Sequence, residues 1–526
     1  MNKDLTRTSG KKALGGFLTL LFLAFPLGAA PREPGLKEQV EILTEEVEKL
    51  KLKKAIGKYE SREGLGPAAS KVYTGPDGFS FGGYGELQYT DYLSSFKKDQ
   101  VDVKRFILYA GYKFSDKLVF NSEIEYEHAG FETNSFVSDV DFDAEKTTKK
   151  SNNKAEVFVE FAYLDFKFSE KAKLALGLQL VPFGITNYLH EPITFYSVNR
   201  PQSEKNIIPT TWREIGALLK GKFKSGLSYR AGILNGPRGK GFDDSSFMRG
   251  GRTKGSKASA EHLAFVVNVE FDTNKGLVLG ASFYQGDSGQ GEIADLSWKD
   301  RVNDPLELLP AGEIKDTLKA RRDKANKSGR ARVHMAEAHF RYSKGPFAAR
   351  GLFVRGYLGD ADARALNRAT GKNIGRVVEG GYLEVGYNIL SLFKSKKKLY
   401  AFVRLERVNT QKETIRRYAG GREDQVDFVC KSVLNNTCRS VSNKDLGIIN
   451  ARDARKESYG VQGVADGVND RSIVTMGLAY FPHPNVVLKL DYERWNSRVS
   501  YPDDLEWRNT ANNKIDQVNF GVGFIF

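Results

Sequence analysis

The chain has 526 residues, a formal net charge of +15 and a mean hydropathy of −0.44, and 28% of its residues are charged. This composition excludes a conventional helical membrane protein, and the length admits several ordinary domains or one large β architecture. The counts of 52 Gly, 34 Phe and 23 Tyr against 16 Pro favour strands, turns and aromatic surfaces. The positive charge fits nucleic acid, acidic lipid or an anionic solute, and composition alone does not choose among these partners.

Residues 1–30 have the pattern of a secretory signal peptide. A basic start is followed by an uncharged apolar stretch from Ala13 to Ala30 that ends in small residues. Cleavage is predicted near Ala29 or Ala30, although Pro31 disfavours the bond after Ala30. The alternative is an uncleaved anchor helix. After residue 30, no uncharged apolar stretch approaches the roughly 20 residues that a membrane helix needs.

Residues 31–56 contain a short heptad repeat. Its apolar seam consists of Leu36, Val40, Leu43, Val47 and Leu50. This spacing predicts a coiled coil, but about two heptads are too short to be stable alone. Tethering several copies on a larger oligomer would raise their local concentration. An isolated amphipathic helix or a partly disordered spacer is the alternative. Residues 57–78 are rich in Gly and Pro, which predicts a flexible linker.

From Phe79 onward the hydrophobic pattern has a period of two, which is typical of strands. The predicted strands are 79–89, 103–114, 117–128, 157–168, 173–181, 214–223, 227–235, 263–271, 277–285, 333–342, 347–358, 378–389, 399–408, 472–481, 486–496 and 516–526. In the last strand one face carries only bulky apolar residues, namely Val518, Phe520, Val522, Phe524 and Phe526. The other face begins with small or polar residues, namely Gln517, Asn519, Gly521 and Gly523.

The connections between these strands alternate between short turns and long segments. In an up-and-down barrel, alternate connections lie at opposite rims, and an even number of strands closes the barrel. Closure gives every backbone N–H and C=O a partner, which lipid requires. The sequence therefore predicts an all-β fold over residues 79–526: a 16-stranded antiparallel transmembrane β-barrel, preceded by the short N-terminal helix or coiled coil.

Cys430 and Cys438 are the two cysteines of the chain. They are eight positions apart, with no further cysteine and no nearby histidine, so a zinc site there is not predicted. A disulfide that closes a small loop is predicted, and it requires an oxidising compartment. Two free thiols are the alternative.

One segment resembles a known family. Residues 174–223, LALGLQLVPFGITNYLHEPITFYSVNRPQSEKNIIPTTWREIGALLKGKF, resemble the phosphate-selective porin O and P family of outer-membrane porins. The shared elements are a strand leading into PFG, a stretch with an acid and Arg-Pro, and a W-x-E-x-G entry into the next strand. The resemblance implies a trimer, loops folded into the lumen as a constriction, and a terminal Phe that serves barrel insertion.

The long connection 182–213 is the most apolar of the eight, which predicts that it packs inside the barrel. Its charged residues would then line the narrowest zone: Glu191, Arg200, Glu204, Lys205 and Arg213. The alternative is that this connection packs against a neighbouring subunit.

Charges on the strand faces assigned to the lumen are nearly balanced between acids and bases. The basic pore-lining candidates are Arg105, Lys113, Lys220, Lys222 and Arg230. A basic run, Lys315–Arg332, would favour anions if it folded inward, or would bind acidic headgroups or water if it stayed outside.

No catalytic, metal or cofactor site is predicted. The motif GFSFG, residues 78–82, continues straight into a strand and lacks the turn of a nucleophile elbow. His334 and His339 are five residues apart in a strand and would face opposite sides. The sequence predicts a porin for small hydrophilic solutes in the bacterial outer membrane, with its N-terminal segment in the periplasm. A preference for anions or phosphate is expected if the basic groups face the passage. A homotrimer and cell-wall contact through the heptads are further expectations. The alternatives are a surface receptor or adhesin, or a porin specific for siderophores or oligosaccharides.

Overall fold

The computed structural model describes residues 39, 41, 43–44, 59–95, 97–128, 156–293, 329–415, 425–430, 438–442, 467–498 and 514–526. The chain divides into two compact units, residues 1–58 and residues 59–526. In the first unit the four described residues are helical. The signal peptide and the rest of the heptad segment lie outside the described residues, so both remain predictions. Among the residues that the structure describes, no helix combines the length and the apolar character needed to cross a bilayer.

The second unit contains eighteen described strands. They are β1 (Gly78–Tyr92), β2 (Gln100–Ser115), β3 (Leu118–Glu127), β4 (Glu156–Ser169), β5 (Ala172–Leu180), β6 (Arg213–Lys222), β7 (Leu227–Asn235), β8 (Leu263–Asp272), β9 (Leu277–Asp287), β10 (Arg332–Lys344), β11 (Phe347–Leu358), β12 (Val377–Asn388), β13 (Lys398–Glu413), β14 (Gln425–Cys430), β15 (Cys438–Ser442), β16 (Asp470–His483), β17 (Val486–Ser497) and β18 (Lys514–Ile525). Its α-helices are Lys71–Thr74, Ser203–Asn206 and Asp360–Thr370.

Sixteen of these strands form one closed antiparallel barrel. Each strand pairs with its neighbours along the chain, β13 pairs with β16, and β1 closes the sheet by pairing with β18. The prediction of a 16-stranded antiparallel barrel is confirmed. Short connections lie at one rim, which we call the short-turn rim. The opposite, long-loop rim carries long connections, except for the seven residues between β1 and β2.

The outside of the barrel is apolar and the inside is polar. Phe520, Leu490 and Phe353 are 44 to 55% exposed on the outer face. Asn519, Glu493 and Arg404 point inward and are fully buried. This arrangement is the inverse of a water-soluble protein and matches a barrel surrounded by hydrocarbon. The predicted faces of β18 are confirmed, because the five bulky apolar positions are the more exposed ones.

The connection from β13 to β16 contains a two-stranded sheet, β14 and β15, which the sequence analysis did not predict. Its register places Cys430 directly opposite Cys438. Directly opposed residues of an antiparallel pair have Cα separations that a disulfide can span. The disulfide between these cysteines remains a prediction.

The outer face can be tested with a charge placed in its middle. Leu490 pairs with Leu478 and Phe520 at the centre of the apolar face. Leu490→Arg should lower the free energy of unfolding from lipid vesicles by about 2–4 kcal/mol, the cost of a guanidinium near the bilayer centre. Urea titration of the folded barrel would measure it.

Leu392→Arg is the matched control for this substitution. Leu392 is exposed in the short connection that includes Ile389–Phe393. A substitution at this rim should cost about 0–1 kcal/mol. Equal losses for the two variants would contradict the assignment of the outer face to lipid.

Candidate functional site: the barrel lumen

The connection from β5 to β6, residues 181–212, folds into the lumen, and we call it the inserted loop. Val198 N–H donates to Asp491 on β17 at 2.6 Å, and Ser203 N–H donates to Glu406 on β13 at 2.6 Å. The loop therefore reaches across to the far wall of the barrel. The prediction that this apolar connection packs inside the barrel is confirmed.

Apolar side chains of the inserted loop enter a hydrophobic core inside the barrel. Its fully buried members include Phe183, Ile207, Ile208 and Trp212, and the Trp212 ring lies 4.7 Å from Tyr284 on β9. Other long-rim connections contribute to the same core, among them Phe242, Met248 and Leu366. This packing explains why the connection carries so many apolar residues.

Buried carboxylates hold the backbone of the inserted loop. Glu204 accepts the N–H groups of Ile185 and Thr186 at 2.8 and 2.7 Å. The hydroxyl of Tyr382 on β12 donates to the other oxygen of Glu204 at 2.7 Å. Because the carboxylate accepts three donors, Glu204 is a structural clamp, which differs from the predicted pore-lining role.

Residues 59–77, which we call the N-terminal segment, also lie within the barrel. Leu65, Ala68, Ser70 and Val72 are buried, and the helix Lys71–Thr74 packs against β1, β2 and β3. The expectation of a flexible linker over residues 57–78 is therefore corrected from Tyr59 onward. The Gly and Pro content suggested flexibility, but the lumen supplies partners that the local sequence does not show.

Glu191 joins the N-terminal segment to the inserted loop. Its carboxylate accepts the backbone N–H groups of Ala68 and Ala69, each at 3.0 Å from Oε1. The amide of Asn121 on β3 donates to the Ala69 carbonyl at 3.0 Å. Glu191 is 1% exposed, so it anchors a packed junction and does not line an open passage as predicted.

Glu63 pairs the N-terminal segment with two wall lysines. Its carboxylate lies 2.7 Å from Lys173 Nζ on β5 and 3.3 Å from Lys220 Nζ on β6. Burial by itself would raise the pKa of Glu63, but the two ammonium groups overcome this effect and hold the pKa at about 2. Ionised Glu63 therefore stabilises the docked segment at neutral pH.

Most predicted wall cations have carboxylate partners. Arg105 lies 2.6 Å from Glu86 and 3.1 Å from Glu125. The remaining pairs are Lys113 with Asp77 and Asp116, Lys220 with Asp165, Arg230 with Glu270, and Arg213 with Glu160. Arg213 is 1% exposed, so it belongs to the packed interior. The acids and bases of the wall are nearly equal in number, and most of these bases thus form ion pairs with neighbouring acids.

Five other cations form a group that we call the basic cluster: Lys104, Arg200, Lys205, Arg249 and Arg252. Four of them donate to neutral oxygens. Lys104 binds the side-chain oxygens of Gln88 and Asn199, and Arg200 binds a main-chain carbonyl. Arg249 and Arg252 bind main-chain carbonyls of the inserted loop. Among the described residues, no carboxylate lies within 4 Å of any nitrogen of the five side chains.

The members of the basic cluster act electrostatically on one another. Burial and the neighbouring guanidinium groups of Arg252, Arg105 and Arg200 lower the pKa of Arg249 to about 9. Enclosure by the surrounding barrel, which displaces bulk water, followed by the charges of Arg249, Lys104 and Arg105, lowers the pKa of Lys205. The Lys205 side chain is nevertheless solvent-accessible. This group of charges therefore creates a positive potential inside the long-loop half of the lumen.

A second basic region lies at the short-turn rim, around a cavity of about 350 Å³. Its lining includes Lys173, Lys220, Lys222 and Arg230, together with Glu63 and Glu270. The structure thus brings together three of the predicted pore-lining candidates, Lys220, Lys222 and Arg230. Lys222 is exposed there, and the part of the chain that the structure describes offers it no ion-pair partner.

Sequence analysis identified Arg200 and Lys205 as candidates but missed Lys104, Arg249 and Arg252. Lys104 lies at an irregularity in the pairing of β1 with β2, and strict alternation does not assign it to the lumen. Arg249 and Arg252 lie in another long connection, whose insertion carried no comparable apolar signal. Of the basic run Lys315–Arg332, residues 315–328 lie outside the described residues.

Comparison with known proteins finds a relative with a similar sequence along most of the chain. The chain is 31% identical over 458 residues to an "Uncharacterized protein" of Aquifex aeolicus (strain VF5), and the match covers 85% of this chain and 82% of the relative. This chain belongs to the same family as the Aquifex protein. No family model matches the chain, so the resemblance to the phosphate-selective porin O and P family remains a prediction.

Solved structures whose backbone partly superimposes on this chain include the following three proteins. OmpT of Vibrio cholerae is 10% identical with a TM-score of 0.43, and the match covers 85% of this chain and 97% of that structure. The channel DcaP of Acinetobacter baumannii is 9% identical with a TM-score of 0.43, covering 85% and 97%. An anion-selective porin from Comamonas acidovorans is 9% identical with a TM-score of 0.43, covering 85% and 99%. Likeness at this level does not indicate what this chain transports or binds.

The clamp at Glu204 can be tested at its wall partner. Tyr382→Phe removes one hydrogen bond to a buried carboxylate, and such bonds contribute about 1.5–3 kcal/mol. The free energy of unfolding should fall by roughly that amount, and proteolysis within the inserted loop should become faster. Tyr387→Phe is the control, because Tyr387 lies on the same strand but is exposed on the outer face. Equal stability of the two variants would show that Tyr382 does not anchor the loop.

Docking of the N-terminal segment should depend on pH through Glu63. The lowered pKa means that ionised Glu63 stabilises docking above its ordinary pKa of 4.5, and that this stabilisation is lost as the pH falls toward about 2. Amide exchange in residues 59–74, corrected for intrinsic rates, should therefore accelerate about tenfold or more over this interval, since one pKa unit corresponds to ~1.4 kcal/mol.

Glu63→Gln should show the fast exchange already at neutral pH. Glu60→Gln is the matched control, because Glu60 pairs only with the exposed Arg62 at 3.3 Å among the described residues. A Glu63→Gln protein that exchanges like the wild type at pH 7 would rule out this anchoring pair.

Proposed function

We propose that this protein is an outer-membrane porin that passes small hydrophilic solutes by passive diffusion. The observation that carries the proposal is a closed barrel with an apolar exterior, a polar interior and a lumen narrowed by its own inserted loop. The long-loop rim would face the cell exterior, and the short-turn rim with the N-terminal segment would face the periplasm, as barrels of this kind are oriented.

The basic cluster supports a preference for anions. Wall cations that pair with carboxylates contribute little net potential. By contrast, four of the five cations of the cluster bind only neutral oxygens, and Lys205 has no ion-pair partner among the described residues. A local excess of positive charge in a constriction lowers the electrostatic barrier for an anion and raises it for a cation. Phosphate is one such anion, and the family resemblance supports including it among the solutes.

A homotrimer is part of the same proposal, and it rests on the family resemblance. Assembly would hold three copies of the heptad segment close together at one face of the membrane, which raises their effective concentration. Contact of these heptads with the cell wall is a further part of the proposal. Light scattering of the detergent-solubilised protein, with the detergent mass subtracted, tests the trimer.

Transport can be measured as single-channel conductance in planar lipid bilayers with KCl. The proposal expects stable conductance steps and, in a salt gradient, a reversal potential that indicates preference for Cl⁻ over K⁺. Absence of conductance from correctly folded protein would contradict a diffusion channel. It would favour the receptor or adhesin alternative, in which the long-rim connections bind a partner.

Lys205→Glu tests the contribution of the basic cluster. Reversing this solvent-accessible charge should shift the Cl⁻/K⁺ permeability ratio toward K⁺ by roughly threefold or more at 0.1 M salt and by less at 1 M, where screening is stronger. Lys396→Glu makes the same charge change on an exposed turn residue of the short-turn rim and should leave the ratio nearly unchanged. Equal effects of the two variants would contradict a role for the cluster in selectivity.

A further inference from the structure

Three chemically reactive side chains converge where the inserted loop meets the barrel wall. They are Glu123 on β3, Glu160 on β4 and His190 in the inserted loop, and one ligand atom of each lies within 4.8 Å of the others. All three side chains are at most 2% exposed. They belong neither to the basic cluster nor to the cavity at the short-turn rim.

The imidazole of His190 is oriented by its own loop. Its Nδ1 lies 3.1 Å from the main-chain carbonyl of Asn187. A carbonyl oxygen only accepts hydrogen bonds, so Nδ1 carries the hydrogen. The other nitrogen, Nε2, points at Glu123 at 3.5 Å and has no hydrogen-bond partner. A fixed Nδ1–H that leaves Nε2 directed at a group of carboxylates is the arrangement that metal-binding histidines adopt.

The two carboxylates also lack hydrogen-bond partners. Neither oxygen of Glu123 nor either oxygen of Glu160 makes a hydrogen bond, although all four are buried. The nearest cation to Glu160 is Arg213, at 3.6 Å, and Arg213 itself retains two buried nitrogens without partners. Two buried carboxylates beside one guanidinium are costly unless a proton or a further cation compensates their charge.

Among the buried acids of the described residues, Glu123 and Glu160 are distinctive because both oxygens of each lack a hydrogen-bond partner. Glu204 accepts hydrogen bonds from two backbone N–H groups and a tyrosine hydroxyl. His339, a second buried histidine, has carboxylates at both nitrogens, Glu337 at 2.9 Å and Glu270 at 3.3 Å. His339 can therefore donate from both nitrogens, whereas His190 presents one unpaired nitrogen to two unpaired carboxylates.

We propose that Glu123, Glu160 and His190 bind a divalent transition-metal ion, with Zn²⁺ as the best match. One imidazole nitrogen and two carboxylate oxygens are a ligand set that Zn²⁺ accepts, and three protein ligands leave a fourth position for water. The ion would supply the positive charge that the carboxylates lack. It would also join the inserted loop to β3 and β4, and so fix the loop on the side opposite Asp491 and Glu406.

No metal site was predicted from the sequence, because its three ligands are far apart along the chain. Glu123 and Glu160 are 37 positions apart, and Glu160 and His190 are 30 apart, on three different elements. Short metal motifs place their ligands within one helix or turn, and no such spacing occurs here. Only the insertion of the loop brings His190 to the wall.

The test is Zn²⁺ binding by the folded, tag-free full chain in detergent. After treatment with EDTA and dialysis, titration calorimetry with ZnCl₂ should give one ion per chain with micromolar or tighter affinity. His190→Gln and Glu123→Gln should each weaken binding at least tenfold. His339→Gln, a change at a buried histidine outside the site, should leave the affinity unchanged. The heat-dependent shift in gel mobility of a folded barrel confirms that each variant is folded.

X-ray absorption at the zinc edge provides a readout that does not depend on the variants. The wild-type complex should show nitrogen and oxygen ligands at about 2.0–2.2 Å with the signature of a single imidazole. Absence of binding at millimolar ZnCl₂ would overturn the proposal, as would binding that survives both substitutions or a spectrum with several imidazoles. Conductance is not a readout of this experiment, so its outcome is independent of the proposed transport function.

Discussion

The pairing of β1 with β18 is the contact on which the rest of the structure depends. Along this seam the register runs from Tyr84 opposite Ile525 to Tyr92 opposite Gln517, and beyond it Gly83 and Phe526 exchange two main-chain hydrogen bonds of 2.9 Å. An unpaired strand edge in hydrocarbon would leave a row of backbone groups without partners, each at a cost of several kcal/mol. Because the seam closes, the outer face can be apolar, and the polar side chains of the strands can face the inside of the barrel.

Inside the barrel, acidic side chains accept the hydrogen bonds that main-chain N–H groups of ordinary loops donate to water. Glu191, Glu204, Glu406 and Asp491 each accept main-chain N–H groups of the inserted loop or the N-terminal segment. A carboxylate can accept several such bonds, and bonds to a charged acceptor are stronger than neutral ones. These four acids hold the main chain, and other acids of the lumen pair with wall cations such as Arg105 and Lys220. The cations of the basic cluster remain without acidic partners among the described residues, which is why a balanced count of charges still produces a positive region.

The sequence predicted the barrel well because strand patterning is local. Period-two alternation and turn residues are readable within ten positions, and all sixteen barrel strands were located this way. It also indicated that residues 182–213 pack inside, because their apolar content was too high for a solvated loop. The roles of individual charged residues were not predictable. In the sequence, Glu191 and Glu204 resemble pore-lining acids. Only the fold shows that Glu191 accepts the main-chain N–H of Ala69, and that Glu204 accepts the main-chain N–H of Thr186 within the same loop.

The same reason explains the misjudged N-terminal segment and the unpredicted group around His190. The Gly and Pro content of a segment indicates how freely its backbone bends. Docking depends on the residues elsewhere in the chain that the segment contacts. The partners of Glu63 and Ala68 lie 110 and 123 positions away along the chain. No local pattern contains that information. Likewise, the carboxylates of β3 and β4 gain their significance from a histidine that reaches them only through the insertion of a long connection.

The docking of the N-terminal segment has a consequence for the order of assembly. Residues 59–77 are synthesised before every strand of the barrel, yet they bind groups on β3, β5, β6 and the inserted loop. The complete binding surface for the segment therefore exists only after more than a hundred later residues have reached their places in the barrel. The first part of this unit to be made is among the last to settle. The segment can dock completely only if β3, β5, β6 and the inserted loop have already formed correctly.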